Sequence, residues 1–140
     1  MSVPKVLGPV DIAVSGMRAH ARHMEVISSN VANARTADTG EGQPYRRLEA
    51  IFRTEGKKVG GVAIDDIVPD NSELPQIYDP GNPKADTTGY VTMPNVHLPV
   101  EMMNLNIASR AYQANAAILR RYQRMVETSL ELLRLLRTIQ

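Results

Sequence analysis

A few groupings of side chains in this sequence have the types and spacing to do chemistry. His20 and His23 stand three apart, as a helical metal pair would. The chain has one other histidine, His97, and no cysteine, so no third ligand is placed and no metal site is expected. His20 is expected to flank a helix seam instead. Asp65 and Asp66 offer two carboxylates for a cation or for acid–base work. Neighbours on a strand point to opposite faces, so without a bulge they cannot share a site, and a surface role is expected. Ser15-Gly16 and Ser28-Ser29 lack a nucleophile-elbow context, and no phosphate-binding glycine loop is present. Arg120, Arg121 and Arg124 cluster on one stretch. They suit phosphate contacts, a solvated helix face with the pairs Arg124–Glu127 and Glu131–Arg134, a channel lining, or carboxylates of adjacent chains; residue type does not choose among these. The expectation is a chain that is not an enzyme and takes no cofactor.

Composition points the same way. Sixteen Lys and Arg against fifteen Asp and Glu give no global pull toward nucleic acid or an anionic membrane. One Phe, five Tyr and no Trp are few large rings for a compact core. Val, Ile, Leu, Met and Ala carry the apolar content and suit helix–helix seams. The start of the chain lacks an apolar run of signal-peptide length, and no stretch reaches the ~18 apolar residues of a membrane span. Export without a cleaved signal, and no direct membrane insertion, are the expectations.

The elements that would position these residues fall into four parts: an extension over residues 1–9, a helix over 10–35, a β-rich and loop insertion over 36–98, and a long helix over 99–140. In the first helix Val10, Val14, Met17, Ala21, Met24, Ser28 and Val31 recur at alternating four-three spacing, flanked by Ala13, His20, Ile27 and Ala34. Pro9 and Asp11 suit its first turn, and Asn30 and Asn33 mark its end. The second helix carries Met102, Leu105, Ala108, Tyr112, Asn115, Leu119, Tyr122, Val126, Ser129, Leu133 and Leu136, with a second stripe of Ala111, Ile118, Met125, Leu132 and Ile139. Asn115 and Ser129 either fix register or lie where the seam is wet.

Between the helices, Tyr45–Thr54, Gly61–Val68 and the short Gln76–Tyr78 are strand candidates among turn-rich segments such as DPGNP and TTGY. The predicted fold is mainly α with a small β insertion, its terminal helices paired as a coiled coil. The chain's two ends then meet and the insertion projects from one end. Met17, Met24, Ile27 and Val31 are expected to pack around Leu119, Tyr122, Met125 and Val126. The double stripe is wider than one short partner covers, so contacts to further chains are expected. A soluble adaptor for one partner helix, and a nucleic-acid-binding helical protein, are the competing classes.

Three motifs carry a resemblance. SGMRAHARHMEVISSNVANART (Ser15–Thr36), YDPGNPKADTTGYVTMPNV (Tyr78–Val96) and EMMNLNIASRAYQAN (Glu101–Asn115) occur in order, and PYRR (Pro44–Arg47) fits with them. Together they resemble the bacterial flagellar basal-body rod proteins, the proximal-rod subfamily in particular. Its loop elements fall on Asp79, Pro80, Gly81, Pro83, Gly89, Tyr90, Pro94 and Asn95. The resemblance implies a subunit whose terminal helices build an axial tube across the periplasm, passing torque from motor to hook. It implies other rod proteins and a membrane-ring adaptor as partners, and the flagellar export apparatus during transit. Two further expectations concern assembly. Asn30 and Asn33 form an interlocking turn that caps or cross-links chains, and the loop Asp79–Asn95 rests on another subunit or on its own long helix.

Overall fold

A computed structural model describes residues 8–55 and 60–138. Six elements follow one another: α1 (Pro9–Ala32), β1 (Leu48–Glu55), β2 (Gly61–Pro69), β3 (Gln76–Tyr78), β4 (Tyr90–Thr92) and α2 (Leu98–Thr138). The strands form two separate antiparallel pairs, β1–β2 and β3–β4. Residues 1–7, Ile139 and most of the turn joining β1 to β2 lie outside the described residues.

Helix α1 starts where local chemistry dictates. Pro9 occupies the first turn, where its missing N–H costs nothing, and the Asp11 carboxylate accepts the Gly8 N–H at 3.0 Å. It ends at Asn33, whose side-chain amide donates to the Ser29 carbonyl at 2.9 Å while its oxygen accepts from the Thr36 hydroxyl. Asn33 thus caps the helix locally.

The two helices run antiparallel. Asn30 meets Glu101, and fourteen residues earlier on α1 Gly16 meets Asn115, fourteen residues later on α2. This register overturns the expected packing of Met24, Ile27 and Val31 around Tyr122, Met125 and Val126. One-for-one pairing puts those α1 residues opposite the first turns of α2. Only Leu119 of the expected partners joins Met17, with Val14, Ala21 and Tyr112, along a shallow trough between the helices. Nor do the helix ends meet. Pro9 falls level with Tyr122, so α2 runs on for roughly sixteen residues, or about 24 Å.

The buried line on α1 is also one residue away from the expected seam. Ala13, Gly16, Ile27 and Asn30 are buried, with His20 and His23 half-buried between them. These six repeat at three-four spacing, about 100° around the helix from Val14, Met17, Ala21, Met24 and Val31. The reason is that α1 serves two partners, α2 and the β1–β2 hairpin. The hairpin does not project from the end of the helix pair but lies along α1. Ser15 Oγ accepts the Val62 N–H at 3.1 Å near one end, and Asn30 holds Leu48 near the other. Between them Phe52 sits against the rings of His20 and His23, at 5.7 and 5.2 Å. Small residues allow this close approach. Four of the seven fully buried apolar side chains among the described residues are alanines, so the apolar core is thin and polar contacts must specify the arrangement.

The insertion differs in detail from the sequence reading. Strand β1 begins at Leu48 rather than Tyr45, and β4 forms where TTGY was read only as turn. Gly89 makes β4 accessible: its φ is +86°, and a Cβ there would stand 2.8 Å from the Tyr78 ring. Strand β2 does contain a bulge at Asp65, opposite Ile51 and Phe52. The bulge still does not unite the carboxylates, since Asp65 pairs with Arg53 and Asp66 accepts the next backbone N–H.

Candidate assembly interface

The most buried charged group is Glu101, in the first turn of α2 and fully excluded from solvent. One carboxylate oxygen accepts Arg47 Nε at 2.6 Å and the other accepts Asn30 Nδ2 at 3.1 Å. Asn30 lies in the last turn of α1 and is equally buried. Its amide pairs with both backbone groups of Leu48, donating to the carbonyl at 2.9 Å and accepting the N–H at 2.8 Å. Its oxygen also accepts the Tyr45 hydroxyl at 2.9 Å. Two donors and two acceptor positions are therefore used within the chain, which is all an asparagine amide offers. The expectation that Asn30 cross-links neighbouring chains is corrected on that ground.

Arg47 extends this polar hub to the end of β2, which lies beside the start of β1 at the open end of the hairpin. Its Nη1 stands 3.6 Å from Asp70, and its N–H donates to Asn95 Oδ1 at 2.8 Å. Asn95 donates onward to the Asp70 carbonyl and the Ser72 hydroxyl. Burial alone would weaken the charge on Arg47, but its bond to Glu101 and the surrounding carboxylates hold its proton more tightly than usual. The Ser72 N–H and hydroxyl hold Asp70 below the ordinary carboxylate range, with Arg47 adding to the effect. One cluster thus joins the end of α1, the start of α2, both strands at the open end of the hairpin and the loop before α2. A cleft of about 800 Å³ opens beside it, lined by Asp70, Glu73, Pro75, His97 and Val100.

The loop from Asp79 to Asn95 is built from its own turns. The Asp79 N–H donates to the Gly89 carbonyl, Asn82 caps two successive turns, and Tyr78 meets Tyr90 edge-on at 5.2 Å. Gly81 stands beside the Asp79 carboxylate, Pro83 falls between Asn82 and Lys84, and Pro80 contacts the open face of Gly89. Pro94 and Asn95 are buried. Within the chain this loop rests on residues 37–44, not on α2: Lys84 Nζ is bonded to the Asp38 carboxylate, and Val91 lies beneath. The Lys84 ammonium, then the Gly40 and Gly42 N–H groups, lower Asp38 from 3.8 to about 2. A depressed carboxylate adds stability at every pH above its unfolded value and loses it as pH falls through the folded one. The clasp should therefore stay closed at pH 4.5 and open only between about 4 and 2. A carboxyl-carbon NMR titration of Asp38 checks this; a midpoint near 3.8 contradicts it.

The expected interface residues divide into two groups. Leu105, Tyr112, Asn115 and Leu119 on α2 are half-buried, as are Val14, Met17, Ala21, Met24 and Val31 on α1, while Ile27 is buried. Tyr122, Met125, Val126, Leu133 and Leu136 are exposed, the last two at 63% and 64%. Every residue from Arg120 to Thr138 is exposed, Ser129 among them, and Leu130, Leu132 and Leu135 are bare as well. No ion pair joins Arg124 to Glu127 or Glu131 to Arg134 among the described residues, where Arg22–Glu25 is the pair at that spacing. Burial, with His20 adding its charge, holds His23 below the usual imidazole range, which suits a ring packed on Phe52. Among the described residues no three His, Cys, Asp or Glu side chains converge as a metal set, and no helix is long and apolar enough to cross a membrane.

Sequence comparison bears on what would cover such a helix. The family described as "Flagella basal body rod protein" matches residues 11–37, and "Flagellar basal body rod FlgEFG protein C-terminal" matches residues 87–132. The flagellar basal-body rod protein FlgC of Salmonella typhimurium is 38% identical over 130 residues, covering 91% of this chain and 97% of its own length. That of Agrobacterium fabrum is 39% identical over 127 residues, covering 88% and 91%. That of Borreliella burgdorferi is 34% identical over 144 residues, covering 89% and 95%.

Proposed function

The chain belongs to the flagellar basal-body rod protein family, and from that premise we propose how it serves as a structural subunit of the proximal rod. It assembles with other rod proteins in the basal body and, like the rod proteins it resembles, is a building element rather than an enzyme. The observation that carries the reading is the free end of α2: about 24 Å of helix, apolar on several sides and exposed throughout among the described residues. Each leucine buried there contributes roughly 1.5–3 kcal/mol, so neighbouring helices have a strong reason to cover it.

In the assembled tube, α1 and α2 pair with neighbours as coiled coils and the half-buried trough of Val14, Met17, Ala21, Tyr112 and Leu119 receives a further helix. Discrete knob-and-hole contacts resist sliding, which is what a torque-bearing shaft across the periplasm needs. The loop Asp79–Asn95 and the capping turn at Asn33 contact other subunits, and the membrane-ring adaptor lies among the partners. A chain without cysteine and with a thin core suits passage through the export apparatus unfolded. Deleting the gene in its own bacterium should leave basal bodies with incomplete rods and abolish swimming, and a plasmid copy should restore both. Normal rods and motility in the deletion would overturn the reading.

A further inference from the structure

Heptad seams are degenerate. Sliding one helix past another by seven residues brings apolar positions opposite apolar positions again. The α1–α2 pair is open to this error. Moved by one heptad in one direction, Tyr112 and Leu119 come opposite Val26 and Ala19; moved in the other, Leu105 and Tyr112 come opposite Ala19 and Ile12, so two of the three seam residues still face apolar positions of α1. Such a slide changes how much of α2 runs free by about 10 Å.

We infer that two polar stops, Gly16–Asn115 and Asn30–Glu101, set the register of the helix pair and so fix the length of α2 that protrudes. The stops stand fourteen residues apart on both helices, two heptads in each case. At the first, Gly16 is a notch: a Cβ there would lie 2.7 Å from Asn115 Nδ2 and 2.9 Å from its Cγ. Asn115 also donates to the Ala111 carbonyl, which holds its side chain against α1. At the second, buried Glu101 finds Asn30 on α1 and Arg47 at the start of β1.

Both alternatives break both stops. In one, Tyr122 must enter the Gly16 notch and Asn30 faces Ala108. In the other, Glu101 faces His23 and Asn115 meets Pro9. Either strands a carboxylate that is 0% exposed in the native register. The thin apolar core makes these stops decisive, since alanines discriminate poorly between registers. Asn115, Asn30 and Glu101 are positioning residues in this account. The inference rests on the rod reading only for its purpose, which is to give every copy the same projecting helix.

The test is a distance. The native chain has no cysteine, so spin labels at Arg18→Cys and Arg134→Cys, both on exposed positions, report the register alone. Position 18 lies level with Gln113, twenty-one residues before 134, so the parent should give one distance near 30 Å along the axis. Substituting Asn30→Leu, Glu101→Leu and Asn115→Leu together should add populations displaced by about 10 Å while helical content by circular dichroism is kept. A single unshifted distance in that variant overturns the proposal. Should it lose its helices, Gly16→Leu decides. Filling the notch should displace or broaden the distance, and a parent-like distance with parent-like thermal stability refutes the device. Because the readout is made on the purified chain, the register can fail while the chain still restores swimming, or hold while the rod reading fails.

Discussion

Replacing Arg47 with Leu should destabilise the subunit by about 3–5 kcal/mol, more than any substitution of a single core alanine or valine. The effect comes from what is left behind. Glu101 is fully buried, and without the guanidinium only the Asn30 amide remains to compensate its charge. Glu101→Gln should cost far less, on the order of 1 kcal/mol, because Arg47 keeps Asp70 and some contact with water. The pair Arg47→Leu with Glu101→Leu should be more stable than Arg47→Leu alone, since a buried ion pair costs most when only half is removed. Thermal unfolding of the three variants checks the order. Arg47→Leu should lower the midpoint by roughly 10–20 °C, and an unchanged midpoint removes the hub from the account.

The opposite behaviour is expected at the free end of α2. Leu133→Asp should leave the isolated chain's stability within about 0.5 kcal/mol of the parent, because Leu133 is 63% exposed. In the rod the same substitution buries a carboxylate among apolar neighbours and should abolish assembly and swimming. Leu119→Asp lies at the trough between α1 and α2 and should damage both the chain and its assembly. Swimming in a soft-agar assay together with unfolding of the purified variants separates the two cases. Full motility with Leu133→Asp would mean that this face stays wet.

The sequence revealed most of the architecture because the helices have strong period and clean ends. Pro9, Asp11 and Asn33 bound α1 within a few residues of the expected limits, and no Pro or Gly interrupts α2 after Pro99. The seam on α1 was misplaced by one residue for a physical reason. Val14, Met17, Ala21 and Met24 are the more apolar line, whereas the buried line includes Gly16, His20, His23 and Asn30, which look like surface residues until their partners are known. Glu101 went unrecognised for the same cause. Its position was legible: continuing the four-three spacing back from Ala108 and Leu105 lands on Glu101, not on the exposed Met102. What the sequence could not supply was Arg47, fifty-four residues away, which makes a carboxylate in a helix seam tolerable. The antiparallel register was hidden too, because heptads repeat and only the polar stops tell one alignment from the next.

Density for an intact basal body tests the central claim most directly. In a map at side-chain resolution, α2 from Arg120 to Thr138 should be enclosed by helices of adjoining rod subunits, with Leu130, Leu133 and Leu136 in contact with them. A rod in which this stretch of helix faces solvent on all sides, or in which the chain is absent, would contradict it.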